Sequence, residues 1–449
     1  MPQDYVFVGP SLAAEEVTRI LPAATVLPPI QHGDLIRADP RAGDRVLIID
    51  GLFLQAAPIR HKELLTMLDR GVIVAGSSSM GALRAAELWQ FGMRGVGEVF
   101  NLYRDGIVTG DDEVAIIHCS AEEGYRALSE PLVSIRVSLR DAAEHGALSA
   151  DEAAQLLELA RAIPFRSRSL RALEHRARLE LDTDLIERFL AWTTMHPKDQ
   201  KAEDARLMLH LAAANDPALR PRDETDCRPE QVGTQNTRAW AQRFGGEVTD
   251  GHWVSHRDGT IAMMLLRPDF VAAHRQQVLA SIADVPVDSP DAESRALAEA
   301  GRRGIGPESV AVADGWLTTG EAGLPQQEAI ARILVRAFGT RGYRFIDADC
   351  VPPSMATPQA TSWARKVAAA AIRCNSFLPL NEHVLAPERR HFRPDVVDRL
   401  FAELWGCQLD GLQAAVWDRG MKDLHTFRQL AEPYAALIKM TGVPLAPAA

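Results

Sequence analysis

Cysteine is scarce in this sequence of 449 residues, and its spacing excludes two common kinds of site. The five cysteines are odd in number and no two form a C-x-x-C pair; they are Cys119, Cys227, Cys350, Cys374 and Cys407. This spacing indicates neither a disulfide framework nor a zinc site. The chain also has no Walker-type loop, and Gly9-Pro10-Ser11 lacks the spacing of a dinucleotide-binding glycine fingerprint. We therefore expect reduced thiols, no resident metal and no cofactor.

A surplus of positive charge and long apolar runs are also lacking. The chain has 49 Lys and Arg against 60 Asp and Glu, a formal charge of −11. This balance argues against a general nucleic-acid-binding protein, because neutralising phosphates needs an excess of cations. No run of about 18 apolar residues occurs, and the first residues have no positive n-region, so neither a membrane span nor a signal peptide is indicated. We expect a cytoplasmic globular protein with two or three domains.

Strands and helices alternate over the first 90 residues. Short apolar strands are predicted at residues 5–8, 24–27, 45–49 and 72–75, with helices at 12–20, 58–70 and 82–89. Ser11 is predicted to cap the first of these helices. The alternation predicts an α/β fold with a doubly wound parallel sheet, Rossmann-like or flavodoxin-like. Residues 91–97 are predicted to be too rich in glycine for a regular element, and residues 113–118 to form an edge strand or hairpin arm.

Helical periodicity dominates after residue 124. A capping box, Ser149 with Glu152, introduces a helix at 153–163, and further helices are predicted at 169–192 and 200–214. The polar stretch 220–237 is the best candidate for a domain boundary. Beyond it, helices are predicted at 270–282, 291–300, 325–338, 361–373, 393–405 and 424–440, with a lone strand at 343–347. We therefore expect an α/β core at 1–123, a helical extension at 124–216 and a mostly helical carboxyl-terminal domain at 217–449.

The segment Gly76-Ser77-Ser78-Ser79-Met80-Gly81 connects the fourth predicted strand to a helix. Three interpretations fit it. It resembles half of a nucleophile elbow, in which small residues allow a catalytic serine to occupy a strained turn. Its serines could equally cap the following helix. It could also bind an anion without covalent chemistry, because the amino-terminal end of a helix carries free N–H groups and positive potential.

A nucleophilic serine needs a base, and the candidates are His32, His61 and His118. His61 begins the crossover helix before the fourth strand, and that end can face away from the serines. His118 ends the strand predicted at 113–118. For each histidine a structural role is the simpler alternative. Arg84 and Glu87 are spaced to pair with each other on the helix after the turn.

Two charged clusters also allow two interpretations each. Asp111-Asp112-Glu113 could hold a divalent cation, but adjacent residues of a strand face opposite ways, which favours a solvated turn. Several arginines concentrate in the helical extension. A solvated helix face is the simpler explanation for them, and a docking patch for an acidic partner is the alternative; they are Arg161, Arg166, Arg168, Arg171, Arg176 and Arg178.

Taken together, the ordered motifs of the first half resemble those of TfuA-like proteins, which accompany YcaO enzymes in making modified peptides. The matching motifs include Val6-Phe-Val-Gly-Pro-Ser11, Gly33-Asp34-Leu, Ile49-Asp-Gly-Leu-Phe53, His61-Lys-Glu-Leu-Leu65, Ser78-Ser-Met-Gly-Ala-Leu-Arg-Ala-Ala-Glu-Leu88, Tyr103-Arg-Asp-Gly106 and Asp111-Asp-Glu-Val-Ala115 with His118. Looser matches, including Gln200-Lys-Ala-Glu-Asp-Ala205, extend the resemblance to about residue 214. The half of the chain after residue 214 shows no such resemblance.

The resemblance implies an accessory role in converting peptide backbone amides to thioamides. The partners it implies are a YcaO enzyme, a precursor peptide and a ThiS-like sulfur-carrier protein ending in a thiocarboxylate. Hydrolysis of that thiocarboxylate would release sulfide. The alternative is a scaffold or allosteric activator that brings enzyme, peptide and carrier together and breaks no bond. No membrane or nucleic-acid partner is expected, and oligomerisation is compatible with the sequence.

The candidate catalytic residues are Ser79 as nucleophile, or Ser78 if the turn is shifted by one position, with His61 or His118 as base. Alternatively, one of these histidines activates a water while the serines position the carrier's tail. A larger set of residues is predicted to bind the substrate anion: Gly9, Ser11, Asp34, Asp50, Gly76, Ser77, Gly81, Arg84, Glu87 and Asp112.

Overall fold

The structure is a computed structural model that describes residues 2–52, 56–220, 233–305, 315–321, 323–377 and 392–441. The chain divides into two compact units, Met1–Gly233 and Thr234–Ala449. The described ranges contain no helix that combines the length and the apolar character needed to cross a membrane.

The first unit is built on a five-stranded parallel sheet with strand order β2-β1-β3-β4-β5. This order confirms the predicted flavodoxin-like α/β fold. It places a topological switch point between β1 and β3, where such folds bind ligands beyond the carboxyl ends of the strands. The strands are β1 (Asp4–Phe7), β2 (Thr25–Leu27), β3 (Arg45–Ile48), β4 (Ile73–Ser77) and β5 (Arg94–Val96).

Both faces of the sheet are buried, because alternate residues of its strands enter different apolar cores. In β3, Val46 and Ile48 pack into one core, whereas Leu47 packs into the core on the opposite face. The helices that follow the strands supply the other half of each core. They are α1 (Ala14–Ile20), α2 (Asp34–Ala38), α3 (His61–Asp69), α4 (Met80–Leu88) and α5 (Glu98–Arg104).

Three local predictions for this unit are wrong. Residues 94–96 do form a strand, and Gly95 is needed there because a Cβ would collide with the Phe100 ring. Residues 113–118 form no strand; Asp111–Glu113 is a 3-10 turn, and His118 makes only an isolated bridge with Ala127. Ser11 does not cap α1, because the helix begins at Ala14, three residues beyond it, and Ala13 occupies the N-cap position.

Helices complete the first unit, as predicted for the segment after residue 124. Ser149 accepts a hydrogen bond from the Glu152 N–H, which confirms the capping box. The helical run predicted at 169–192 consists of two helices, and Asp182 caps the start of the second one. The helices are α6 (Leu132–Glu144), α7 (Ala150–Ala162), α8 (Leu170–Glu180), α9 (Thr183–Met195) and α10 (Gln200–Ala213).

The second unit is mostly helical, as predicted. Its described helices are α11 (Gln235–Phe244), α12 (His256–Leu266), α13 (Phe270–Ala283), α14 (Ala292–Arg302), α15 (Gln326–Gly339), α16 (Pro358–Ser376), α17 (Pro394–Trp405), α18 (Leu412–Trp417) and α19 (Leu424–Thr441). The predictions missed α11, α12, α18 and an antiparallel hairpin of β6 (Gly246–Thr249) and β7 (His252–Ser255). The strand predicted at 343–347 is wrong, because Tyr343–Phe345 is a 3-10 turn.

Helix α4 approaches β3 and β4 closely, and two glycines permit this approach. A Cβ on Gly81 would collide with the carbonyl oxygen of Ile48, and one on Gly76 would collide with the carbonyl of Gly81. Gly81→Ala is therefore expected to lower the free energy of unfolding by about 1–3 kcal/mol or more through overpacking. Urea denaturation followed by circular dichroism measures this change.

Gly301→Ala provides the control, because the same substitution meets no atom within 4 Å in α14. It is expected to leave stability unchanged or slightly raised, since alanine favours helix. Equal effects of the two substitutions would contradict the proposed close approach of α4.

Candidate functional site

The turn between β4 and α4 is strained at its central serine. Ser78 has a φ of 68°, a left-handed backbone conformation that residues other than glycine adopt rarely. The N–H of Ser79 donates to the carbonyl of Ser77 at 2.7 Å, which closes a three-residue turn around Ser78. Turns of this type with positive φ are rare and strained, and such strain concentrates at functional sites.

The three serine side chains of this turn have different surroundings. Ser77 and Ser78 are fully buried, and their hydroxyls have no hydrogen-bond partner among the described residues. Ser79 is 8% exposed and lines a cavity. It occupies the N-cap position of α4, yet its side chain makes no capping hydrogen bond. Helix capping by the Ser79 hydroxyl therefore does not explain the serine-rich turn.

The cavity beside Ser79 has a volume of about 230 Å³ and lies beyond the carboxyl ends of β1 and β3. Its apolar wall includes Met80, Leu83 and Phe165. Its polar lining brings together residues that are far apart in the sequence: Asp50, Ser79, Asp111, His118, Arg166 and Lys201. Of the predicted site residues, Ser79, Asp50 and His118 therefore line one cavity.

Asp50 follows β3 and joins the loops of the switch point. Its carboxylate accepts hydrogen bonds from the Gly9 N–H at 2.9 Å, the Ser11 N–H at 3.0 Å and the Ser11 hydroxyl at 2.6 Å. Gly9 and Ser11 thus hold Asp50 in place. A Cβ on Gly9 would also collide with Pro29. This network explains why the segment after β1 contains glycine and serine.

Lys201 is the site residue whose role the sequence did not predict. It lies in α10 with its side chain 3% exposed, and its Nζ is 4.0 Å from Oδ1 of Asp50. The Nζ also donates to the carbonyl of Val114 at 3.2 Å. Burial lowers the pKa of Lys201, an effect that the carboxylates of Asp50 and Asp199 oppose. The Gln200–Ala205 motif contained this lysine, but about 150 residues separate it from Asp50, and nothing in the sequence connects the two.

His118 also lines the cavity, and its surroundings define its tautomer. Its Nδ1 lies 2.8 Å from the carbonyl oxygen of Cys119, which can only accept a hydrogen bond, so Nδ1 is the protonated nitrogen. In the neutral ring Nε2 then carries the lone pair and can take up a proton. The Tyr125 ring and the imidazole pack in a T-shaped arrangement at a centroid distance of 5.7 Å. His118 is therefore equipped to act as a base.

His61 lies in a different cluster. Its Nε2 is 2.8 Å from the Glu87 carboxylate, which also accepts from Arg84 Nη1 at 2.6 Å. Burial opposes ionisation of Glu87, but these hydrogen bonds hold its pKa below the ordinary value. The amino-terminal end of α3 thus contacts α4 at Glu87. None of these three residues lines the cavity beside Ser79.

Asp34 and Asp112 also lie outside the lining of the cavity. Asp34 accepts from the Gln31 N–H at 2.9 Å and from Arg37 at 2.9 Å. Asp112 pairs with the buried Arg168 at 3.1 Å. Within the described ranges no group of three or more His, Cys, Asp or Glu is arranged to hold a metal ion.

Most arginines of the helical extension have partners within it. Arg161, Arg176 and Arg178 each pair with a glutamate of their own or a neighbouring helix. Arg168 is buried and donates to the carbonyls of Ala160 and Ile163. Arg166 differs from these, since it lines the cavity. The arginines therefore have different roles. Arg161, Arg176 and Arg178 form ion pairs, Arg168 binds backbone carbonyls, and Arg166 adds positive charge to the cavity that Ser79 lines.

Residues 50–169 match the family model described as TfuA-like protein. This segment of the chain is similar to TfuA-like proteins. It contains the strained turn, Asp50 and His118, whereas Gly9, Ser11 and Lys201 lie outside it. No curated protein matches the chain. The TfuA-like segment thus supplies five of the six polar residues at the cavity, and the flanking parts of the first unit supply Lys201 and the residues that hold Asp50.

Substitutions at Asp50 and Lys201 test whether Lys201 or the loop after β1 stabilises the buried carboxylate of Asp50. Asp50→Asn is expected to lower the free energy of unfolding by about 3–5 kcal/mol, because it removes the carboxylate that lies 4.0 Å from the buried lysine. Lys201→Met is expected to cost less, since Asp50 keeps the donors of Gly9 and Ser11. Urea denaturation of both variants measures the difference. A larger loss in Lys201→Met would show that the lysine, rather than the loop after β1, stabilises Asp50.

Proposed function

We propose that this protein releases sulfide from the thiocarboxylate of a ThiS-like carrier and thereby supplies a YcaO enzyme that thioamidates a precursor peptide. The TfuA-like segment suggests the coarser role, that of an accessory protein in a thioamidation system. One observation carries the finer proposal: Ser79, His118 and two cationic residues line the same cavity beside a strained turn.

The lining of the cavity has two cations that can pair with a thiocarboxylate anion and two carboxylates, Asp50 and Asp111, of which Asp50 is engaged by Gly9 and Ser11. Lys201 is buried in its wall and Arg166 lies at its lining. The amino-terminal end of α4 adds the positive potential of a helix start. A volume of about 230 Å³ accommodates the last residues of an extended tail. The folded body of the carrier would remain outside the cavity.

In the proposed reaction Ser79 Oγ attacks the carbonyl carbon of the thiocarboxylate while its proton passes to Nε2 of His118. The resulting oxyanion would be stabilised by N–H groups at the start of α4. When the intermediate collapses, the carbon–sulfur bond breaks and His118 returns the proton, so that hydrosulfide leaves and an ester to Ser79 remains. Water then hydrolyses the ester and restores the serine. The net reaction converts thiocarboxylate and water into carboxylate, hydrosulfide and one proton.

The surroundings of the serines favour Ser79 over Ser78 as the nucleophile. Ser78 is fully buried and its side chain does not line the cavity, so its strained backbone serves to present the next residue. His118 is favoured over His61 as the base because His118 lines the cavity, whereas His61 does not line it and pairs with Glu87. Direct attack by a water that His118 activates is the noncovalent version of this mechanism.

Substitution of the proposed nucleophile and base tests the mechanism. Ser79→Ala and His118→Gln are each expected to slow sulfide release by about 10²–10⁴-fold, the usual contribution of positioned proton transfer. Ser167→Ala, an exposed serine of the same unit, is the matched control and should keep the wild-type rate. Sulfide release from a thiocarboxylated carrier is measured under single-turnover conditions. If Ser79→Ala keeps the wild-type rate while His118→Gln does not, water is the nucleophile.

Arg166→Gln tests the electrostatic part of the proposal. The variant is expected to raise KM for the carrier by up to about fivefold with little change in kcat, because an exposed charge contributes about 0.2–1 kcal/mol to binding. Arg171→Gln is the control, since this exposed arginine does not line the cavity. Steady-state kinetics at low and high salt measure both constants. Equal effects of the two variants would assign the change to net charge instead of the cavity.

A further inference from the structure

The second unit contains a separate cavity of about 330 Å³ between α13, α14 and α15. One part of its wall is apolar and includes Val278, Ile282, Leu334 and Phe338. Another part is polar and includes His274, Arg341 and Arg419. Its volume is in the range of small-molecule sites, which combine apolar walls with a few convergent polar groups.

His274 in this cavity lacks the hydrogen bonds that a buried imidazole needs. It is 4% exposed, and neither ring nitrogen has a partner among the described residues. Burial lowers its pKa to about 4, with a further contribution from Arg341, so the ring is neutral at neutral pH and offers one donor and one acceptor. The ring lies against Gly339 and Gly420, where added Cβ atoms would come within 3.0 Å of it. An unpartnered buried polar group of this kind calls for a ligand or a bound water.

The cavity also has uncompensated positive charge. Arg419 is 8% exposed and its Nε has no partner, while its guanidinium stacks at 3.9 Å over the Trp405 ring. Burial lowers the pKa of Arg419 to about 10, so it remains charged at neutral pH. The adjacent Asp418 does not neutralise it, since its carboxylate is bound by Arg336 at 2.7 Å.

The remaining charges of the cavity do not cancel this excess. Within the described ranges neither Arg341 nor Arg419 has a carboxylate at salt-bridge distance. The two acidic residues of the lining, by contrast, have cationic partners: Glu299 pairs with Arg302 and Arg303, and Asp349 lies 3.4 Å from Arg238. The polar end of the cavity therefore attracts an anion.

We infer that this cavity binds a small amphipathic carboxylate, with its carboxylate beside His274, Arg341 and Arg419 and its apolar body against Val278, Leu334 and Phe338. A donor from the neutral imidazole and two guanidinium groups match the acceptors of a carboxylate. The apolar wall excludes inorganic anions as the best ligands, because they would leave that surface uncovered. The site is independent of the proposed sulfide release.

Isothermal titration of the full chain with octanoate tests the inference. Saturable binding of one octanoate per chain is expected, with octanol and octylamine at least about tenfold weaker, a difference of 1.4 kcal/mol. Inorganic phosphate is expected to bind more weakly than octanoate. Binding of octanol as tight as that of octanoate would overturn the anionic site, and the absence of octanoate binding would overturn the site altogether.

Two variants locate the ligand. Arg341→Gln is expected to weaken octanoate binding about tenfold, whereas Arg344→Gln, an exposed arginine outside the cavity, should leave it unchanged. Ser281→Trp places a large side chain at an exposed position of the lining and should abolish binding without altering the core. Circular dichroism checks that each variant is folded. Wild-type affinity in both Arg341→Gln and Ser281→Trp would contradict the location.

Discussion

The buried carboxylate of Asp50 connects the parts of the chain that form the cavity beside Ser79. Its hydrogen bonds fix the loop after β1 through Gly9 and Ser11, and its charge faces Lys201 from α10. A buried carboxylate without these partners would be strongly unfavourable. Folding of the sheet and docking of α10 are therefore coupled to the formation of the cavity, and the proposed chemistry depends on this charge pair.

Periodicity and turn residues were sufficient to predict the architecture. The short apolar strands between helices predicted a parallel sheet, because strands that are buried on both faces are apolar along their whole length. The structure shows this burial in β3, where Val46 and Leu47 pack into two different cores. Predictions failed where tertiary contacts decide the local structure. Gly95 occurs within β5 because the absence of a side chain leaves room for the Phe100 ring. The Ser11 hydroxyl donates to Asp50 and does not cap a helix.

Less of the candidate site than of the fold could be predicted from the sequence. Gly76 to Gly81 was recognisable as a strand-to-helix turn, but its sequence could not show which serine faces a cavity. That choice depends on the positive φ of Ser78, which places Ser79 at the lining. Lys201 could not be connected with Asp50, because no periodic pattern links residues so far apart. It adds a second buried or cavity-lining cation beside Arg166, in a lining that also contains the carboxylates of Asp50 and Asp111.

The claim that this protein breaks a carbon–sulfur bond is tested most directly by the intact mass of a thiocarboxylated ThiS-like carrier incubated with the purified chain, without YcaO, ATP or peptide. The proposed function predicts complete conversion to the carboxylate, seen as replacement of one sulfur by one oxygen, at a rate far above that of the carrier alone. An unchanged carrier, together with full stimulation of YcaO by the same preparation, would contradict catalysis and establish a scaffold.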